Sequence, residues 1–154
     1  MILRGAARAD QPRLDEIALT GKASWGYAPE QLARWRHDLE VTPDSLVDWP
    51  TVVVETSGRI VGFAQLDPTQ APWDLARLFV DPGFHRRGIG RRLLARMRVL
   101  AAQAGQSHIA IDADPHAVLF YLACGALTIG QVAAPVPGAP NRTRPQLLLA
   151  TGAP

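Results

Sequence analysis

Cysteine is almost missing from this chain of 154 residues: Cys124 stands alone. That excludes an intrachain disulfide and any multi-cysteine zinc site. The four histidines lie far apart, with no HxxxH or HExxH spacing, so no metal cofactor is expected. No run of about 18 apolar residues occurs, and the opening MILRGAARAD has no long apolar core of the kind a signal peptide needs. The expectation is a soluble, cytoplasmic protein. Asn141-Arg142-Thr143 fits a glycosylation acceptor pattern, which carries little meaning without a secretion signal. No internal repeat appears, and PVPGAPNRTRP is the one low-complexity stretch.

Lysine is nearly absent as well, with one against fifteen arginines, and the net charge is only +2. Its distribution is uneven, because six of the arginines fall between Arg86 and Arg98. Such a local basic face differs from the broad basic surface that duplex or tRNA binding needs, so nucleic acid is not the expected partner. The length suits one domain with a single substantial core, and no linker is visible, so residues 1–154 are read as a single domain.

What is present is a regular alternation of periods. Ile2 to Ala7 suits an edge strand, and Asp10 and Pro12 open a helix that runs to about Lys22. Pro29-Glu30 starts a second helix with Leu32, Trp35 and Leu39 on its apolar positions. TVVVET and RIVGFAQL flank Ser57-Gly58 as a hairpin, and Leu75 to Val80 is a further strand closed by Asp81-Pro82-Gly83. Ile89, Leu93, Met97, Leu100 and Ala104 then form one helical stripe, which Gly105 ends. HIAIDAD reads as a strand, Pro115 as the first turn of the helix AVLFYLACGA, and LTIGQVAA and PQLLLAT as closing strands. The order predicts a mixed α/β fold around one central sheet.

The stretch VDPGFHRRGIGRRLL carries the chemistry. Two glycines and flanking arginines stand where a strand hands over to a helix, and early helix N–H groups with a positive dipole end offer an anion site. A dinucleotide fingerprint needs a third glycine where Leu93 stands, and a Walker loop needs GK[ST], which is absent.

LFVDPGFHRRGIGRRLL resembles the central acetyl-CoA motif, [QR]xxGx[GA], of the GNAT superfamily of N-acetyltransferases. DADPHAVLFYLACGA is similar to that family's next motif, in which a Phe-Tyr pair on a helix precedes a glycine. KASWGYAPE, SGRIVGF and PGAPNRTRPQLLL also resemble one bacterial branch, so the likeness covers nearly the whole chain. Two departures stand out: His85 replaces the usual Gln or Arg, and His116 the common Asn.

The resemblance implies a mostly antiparallel sheet of about six or seven strands with about four helices, splayed at the cofactor-binding strand. It implies acetyl-CoA as cofactor, with its pyrophosphate on the backbone of Arg87, Gly88, Ile89, Gly90 and Arg91. Arg86, Arg91 or Arg92 would meet the 3′-phosphate or stay solvated, and His85, His116 and Phe120 are further cofactor positions. The pantetheine arm would lie along the main chain of Leu78, Phe79 and Val80. Tyr121 is implied as proton donor to the departing thiolate. Asp74 is implied as the base, with Asp112, Asp114, His37 or no dedicated base as alternatives.

Trp25, Tyr27 and Trp73 are expected to wall the acceptor pocket, with Trp35 assigned to the core and Trp49 to anchoring a loop. Cys124 is read as a spectator thiol. The expected activity is direct transfer of acetyl to a primary amine of a small-molecule acceptor, in a ternary complex. A homodimer follows from the resemblance. The competing reading is a non-catalytic acyl-CoA-binding or regulatory module on the same fold.

Overall fold

Alternation of β-branched residues about a two-residue turn builds the centre of the molecule. In a computed structural model, described here over residues 1–153, strands β2 (Thr51–Thr56) and β3 (Arg59–Asp67) pair antiparallel with Thr56 opposite Arg59. Ser57 and Gly58 both take positive φ, 51° and 75°, the left-handed pair that a tight hairpin turn requires. β1 (Ile2–Gly5) adds antiparallel to β2, and β4 (Asp74–Val80) lies beside β3. β5 (His108–Asp112), β6 (Leu127–Ala133) and β7 (Thr143–Ala150) complete a seven-stranded, mostly antiparallel sheet in the order β1-β2-β3-β4-β5-β7-β6.

Five helices accompany the sheet: α1 (Gln11–Ala23), α2 (Pro29–Leu39), the single turn α3 (Ser45–Asp48), α4 (Ile89–Gln103) and α5 (Val118–Ala123). The expected four are present, and α3 is an addition too short for a periodic signal. Pro115 does not open α5 as expected; it lies in a preceding turn, and the helix starts three residues later, at Val118. β4 and β5 run parallel, and their ladder is confined to Asp74↔Ala110, with the Ala110 N–H on the Trp73 carbonyl at 2.9 Å.

The chain divides into two compact units, Met1–Asp67 with Ala76–Met97, and Pro68–Leu75 with the residues from Arg98 onward. In the first, α1 presents Leu14, Ile17, Ala18 and Gly21 at helical spacing, all buried. Leu14, Ile17 and Ala18 join Val41, Leu46, Val53, Ile60 and Phe63 in one core, against which Leu39 and Phe79 pack. Ile89, Leu93 and Met97 of α4 are buried as the stripe predicts, but Leu94 and Ala101 complete it and Ala104 is exposed. The helix ends in a Schellman motif: Gln106 N–H reaches the Ala101 carbonyl and Gly105 N–H the Ala102 carbonyl, both at 2.9 Å, with Gly105 at φ 84°.

In the second unit β5 and β7 bury Ile109, Ile111, Leu147 and Leu149. β6 is an edge strand whose seven residues are all exposed, Leu127 and Ile129 among them. Among the described residues no helix is long and apolar enough to cross a membrane.

Asp10 precedes α1 as expected, yet its carboxylate does not cap the helix. It accepts from Ala7 N–H at 2.8 Å and from both terminal nitrogens of Arg4, at 2.8 and 3.1 Å. The Arg4 bonds hold the acid below its ordinary pKa. A folded-state pKa below the unfolded value stabilises the protein above the normal carboxylate range, and this contribution is lost as acid protonates Asp10.

Gly62 sits where β3 passes closest to α4. A Cβ there would meet Ile89 Cγ2 at 3.1 Å, the Phe79 carbonyl oxygen at 3.2 Å and Leu93 Cδ1 at 3.3 Å. One of the three is backbone and cannot rotate away. Gly62→Ala is therefore expected to destabilise by about 1–3 kcal/mol, as overpacking does, read as a fall in the urea midpoint. An unchanged midpoint would show that α4 yields freely.

Candidate active site

The turn between β4 and α4 is built by anchoring the strand end and then reversing the backbone hand. Asp81 N–H donates to the Val61 carbonyl at 2.8 Å, while the Asp81 carboxylate accepts from Gly83 N–H at 2.9 Å and from Arg13 Nη2 at 2.7 Å. Burial pushes that acid up, but the Arg13 and Gly83 bonds outweigh it and hold it below the ordinary carboxylate value. A 3-10 turn, Pro82–Phe84, follows. Its Phe84 ring lies 4.9 Å from the Arg87 guanidinium carbon, which pins one of the loop's arginines.

His85 now has a physical account. Its Nε2 lies 3.2 Å from the Val80 carbonyl oxygen, so the imidazole, donating from Nε2, ties the loop back to the last residue of β4. Arg86 then takes φ 63°, unusual for a residue with a side chain, and Gly88 takes φ 77°. A Cβ placed on Gly88 would meet nothing within 4 Å, so it is the backbone conformation, and not crowding, that calls for glycine.

Arg92 N–H makes the first bond of α4, to the Gly88 carbonyl at 3.1 Å. The N–H groups of Ile89, Gly90 and Arg91 therefore precede the helical ladder at its positive end. Two left-handed residues followed by these amides give a run of backbone donors of the kind that suits a pyrophosphate. Arg86, Arg87, Arg91 and Arg92 are exposed around it, and Arg92 Nη1 also approaches Met1 Sδ at 3.1 Å.

Leu78, Phe79 and Val80 are half-buried on β4. The Phe79 ring packs on Phe63 at 6.0 Å between centroids and lies close to Gly21, so that side chain is core, whatever its main chain does. Arg77, one turn of the pleat earlier, was not legible as a site residue. Its guanidinium donates to the carbonyls of Asp38 at 3.1 Å, Leu39 at 3.4 Å and Glu40 at 2.8 Å, and to Gln65 Oε1 at 2.9 Å. It thereby closes the C-terminal end of α2. Burial lowers its pKa, while Asp15, Asp38 and Asp67 favour the charged form. Nothing in a strand sequence marks an arginine whose partners are distant carbonyls.

In the second unit Tyr121 is buried on α5, edge-on to the half-buried Phe120 at 5.3 Å. Burial pushes the phenol far above its ordinary pKa, and Cys124, Asp114 and Asp74 push in the same direction. Tyr121 and Asp74, far apart in sequence, are thus close enough to feel each other. The phenol stays neutral at any working pH. It can donate a hydrogen bond to a developing anion but cannot serve as a resting base.

Asp112 and Asp114 are held in ion pairs. Asp112 is held by Arg144 at 2.8 and 3.1 Å and by Gln146 at 3.0 Å. Asp114 accepts from His116 N–H and lies 2.9 Å from His116 Nδ1, with Arg142 Nη2 at 3.3 Å. His116 is exposed while Asp114 and Arg142 are buried, so the histidine caps a buried ion pair. His37 is exposed on α2, and Cys124 is half-buried.

Trp25 and Tyr27, in the connection after α1, come together around Lys22, and Trp35 joins them. All three rings surround the Lys22 ammonium, and Trp35 is half-exposed, which corrects its assignment to the core. An amphipathic position on a helix does not distinguish a ring in the core from one beside a cation. Trp73 belongs to the second unit, where its N–H donates to Gln106 Oε1 at 3.2 Å. Among the described residues no group of three histidine, cysteine or carboxylate side chains could hold a metal ion.

The fold is shared with solved acetyltransferases. A GCN5-related N-acetyltransferase from Rhodopseudomonas palustris superposes with a TM-score of 0.80 at 22% identity, covering 97% of this chain and 94% of that one. The PaiA N-acetyltransferase from Thermoplasma acidophilum, in complex with coenzyme A, gives 0.78 at 16% identity over 97% and 98%. The YncA acetyltransferase structure from Salmonella typhimurium, with acetyl-CoA, gives 0.74 at 19% identity over 100% and 95%. No curated protein sequence matches the chain. The family model described as acetyltransferase (GNAT) domain matches residues 27–132, more than half of the chain and the whole of the β4–α4 turn. With the anion cradle, the sheet order and this match in agreement, the chain belongs to the GNAT acetyltransferase family.

Proposed function

We propose that this protein is an N-acetyltransferase that moves the acetyl group of acetyl-CoA directly to a primary amine of a small-molecule acceptor. The observation that carries the reading is the backbone at the start of α4: Arg86 and Gly88 at positive φ, then amides that precede the first helical bond. Three consecutive main-chain donors at a helix N-terminus suit the pyrophosphate of a coenzyme A thioester. The pantetheine arm is assigned to the main chain of Leu78, Phe79 and Val80, an assignment supported by the confinement of the β4–β5 ladder to Asp74. His85, bonded to the Val80 carbonyl, holds that strand end in place.

Transfer requires the acceptor ammonium to lose a proton, its nitrogen to bond the acyl carbon as the carbon–sulfur bond breaks, and the thiolate to gain a proton. Asp74 is proposed as the base because it opens β4, the strand that enters the cofactor turn, and lies close enough to Tyr121 to influence its pKa. Tyr121 is proposed to donate its hydrogen bond to the departing sulfur. Its raised pKa supports the neutral phenol that this role needs.

Gly88→Val forces a β-branched residue into a left-handed conformation at an exposed turn. It is expected to abolish acetyl-CoA binding in calorimetry while leaving the circular dichroism spectrum intact; retained micromolar affinity would contradict the cradle. Tyr121→Phe should lower kcat far more than acetyl-CoA affinity, and unchanged turnover over a broad amine panel would remove Tyr121 from the mechanism. Sustained cofactor binding with no thiol release for any amine would favour a binding module over an enzyme.

The same tyrosine carries a pH signature. Its folded pKa lies above the unfolded value of about 10, so its stabilising contribution is full below that pH and falls as pH rises beyond it. The stability difference between wild type and Tyr121→Phe should therefore hold up to about pH 9 and shrink as pH rises beyond about 10, measured by urea midpoints. A constant difference would place the phenol in a more polar setting.

A further inference from the structure

Lys22 is the one lysine of the chain and lies in the last turn of α1. Its Nζ is 4.9 Å from the ring centroid of Trp35, 5.4 Å from that of Trp25 and 5.5 Å from that of Tyr27. Each distance is within the range, about 6 Å, over which a ring quadrupole attracts a cation. Tyr27 meets Trp35 edge-on at 4.7 Å and 87°, so two of the rings also hold each other. Three aromatic faces from two separate segments thus converge on one ammonium.

Tying α1 to α2 does not by itself call for this arrangement. An apolar side chain among three rings would do it by packing, and arginine, used fifteen times in the chain, stacks well on aromatic planes. The position instead carries the compact alkylammonium that an aromatic box selects. Ring quadrupoles do not distinguish an ammonium on this chain from one on a ligand.

We propose that Trp25, Tyr27 and Trp35 form a binding site for an external alkylammonium group, and that Lys22 occupies it as an internal stand-in which the ligand displaces. The inference goes beyond the reading of the protein as an amine acetyltransferase. Aromatic faces favour the charged form of a nitrogen, whereas the attacking nitrogen must be neutral. The group held in the box is therefore not the one acetylated.

Tetramethylammonium is the probe, titrated into the full-length protein and followed by tryptophan fluorescence. Lys22→Ala is expected to bind it at least tenfold more tightly than wild type, and adding Trp35→Ala should remove the gain. Equal affinity in wild type and Lys22→Ala, or a gain that survives loss of Trp35, overturns the proposal. If Lys22→Ala loses its native circular dichroism, Lys22→Gln, which keeps much of the aliphatic stem, takes its place. Because tetramethylammonium binding needs neither acetyl-CoA nor turnover, an inactive protein with the expected binding pattern would sink the acetyltransferase reading alone. An active protein without that pattern would sink the box alone.

Discussion

The reversal of backbone hand between β4 and α4 is the constraint around which the first unit is arranged. Two residues at positive φ, Arg86 and Gly88, turn the chain into α4, whose opening amides precede the first helical bond. That conformation is costly for Arg86, and the surroundings oblige it. Asp81 is fixed by Val61, Gly83 and Arg13 on one side of the loop, and α4 is fixed by Ile89, Leu93 and Met97 on the other. Gly62 lets β3 approach that helix closely, and His85 fastens the loop to Val80. Each contact is ordinary; together they hold a shape that a lone loop would not keep.

Cations in this chain are mostly structural. Arg13 holds Asp81, Arg77 closes α2, Arg142 is buried against Asp114, and Arg144 grips Asp112. The fork of a guanidinium suits these tasks, since it reaches two or more oxygens in one plane. The arginines beside the cradle, by contrast, are exposed, so their share in binding an anion is screened by solvent and salt. In the proposed cofactor site main-chain amides carry the recognition, and the charged edges assist. Lys22, the exception in residue type, is also the exception in setting.

Much of this was legible in the residues. β-branched runs about Ser57-Gly58, the stripe of Ile89, Leu93 and Met97, and the terminal Gly105 each mark a local conformation that needs no tertiary information. The glycine pair after a strand marked the cradle for the same reason. What escaped depended on contacts between distant positions. Trp35 looked like a core residue because helical period records a face and not what covers it. Arg77 and His85 act through backbone carbonyls, which leave no trace in sequence. The partners of Asp114 were hidden too, because Arg142 comes from a Pro/Gly-rich loop whose path no periodicity describes. Pro115 suggested a helix start, but the chain needs one more turn, closed by Ala117 N–H on the Asp114 carbonyl, before α5 begins.

The central claim is that main-chain amides at the start of α4, and not the arginine side chains around them, hold the cofactor. Amide hydrogen exchange resolved by residue, with and without coenzyme A, tests it most directly. The account predicts strong, ligand-dependent protection concentrated on the N–H groups of Arg87 to Arg91, persisting when Arg86, Arg91 and Arg92 are replaced by glutamine. Protection that is absent from these amides, or that vanishes with the arginines, would contradict it.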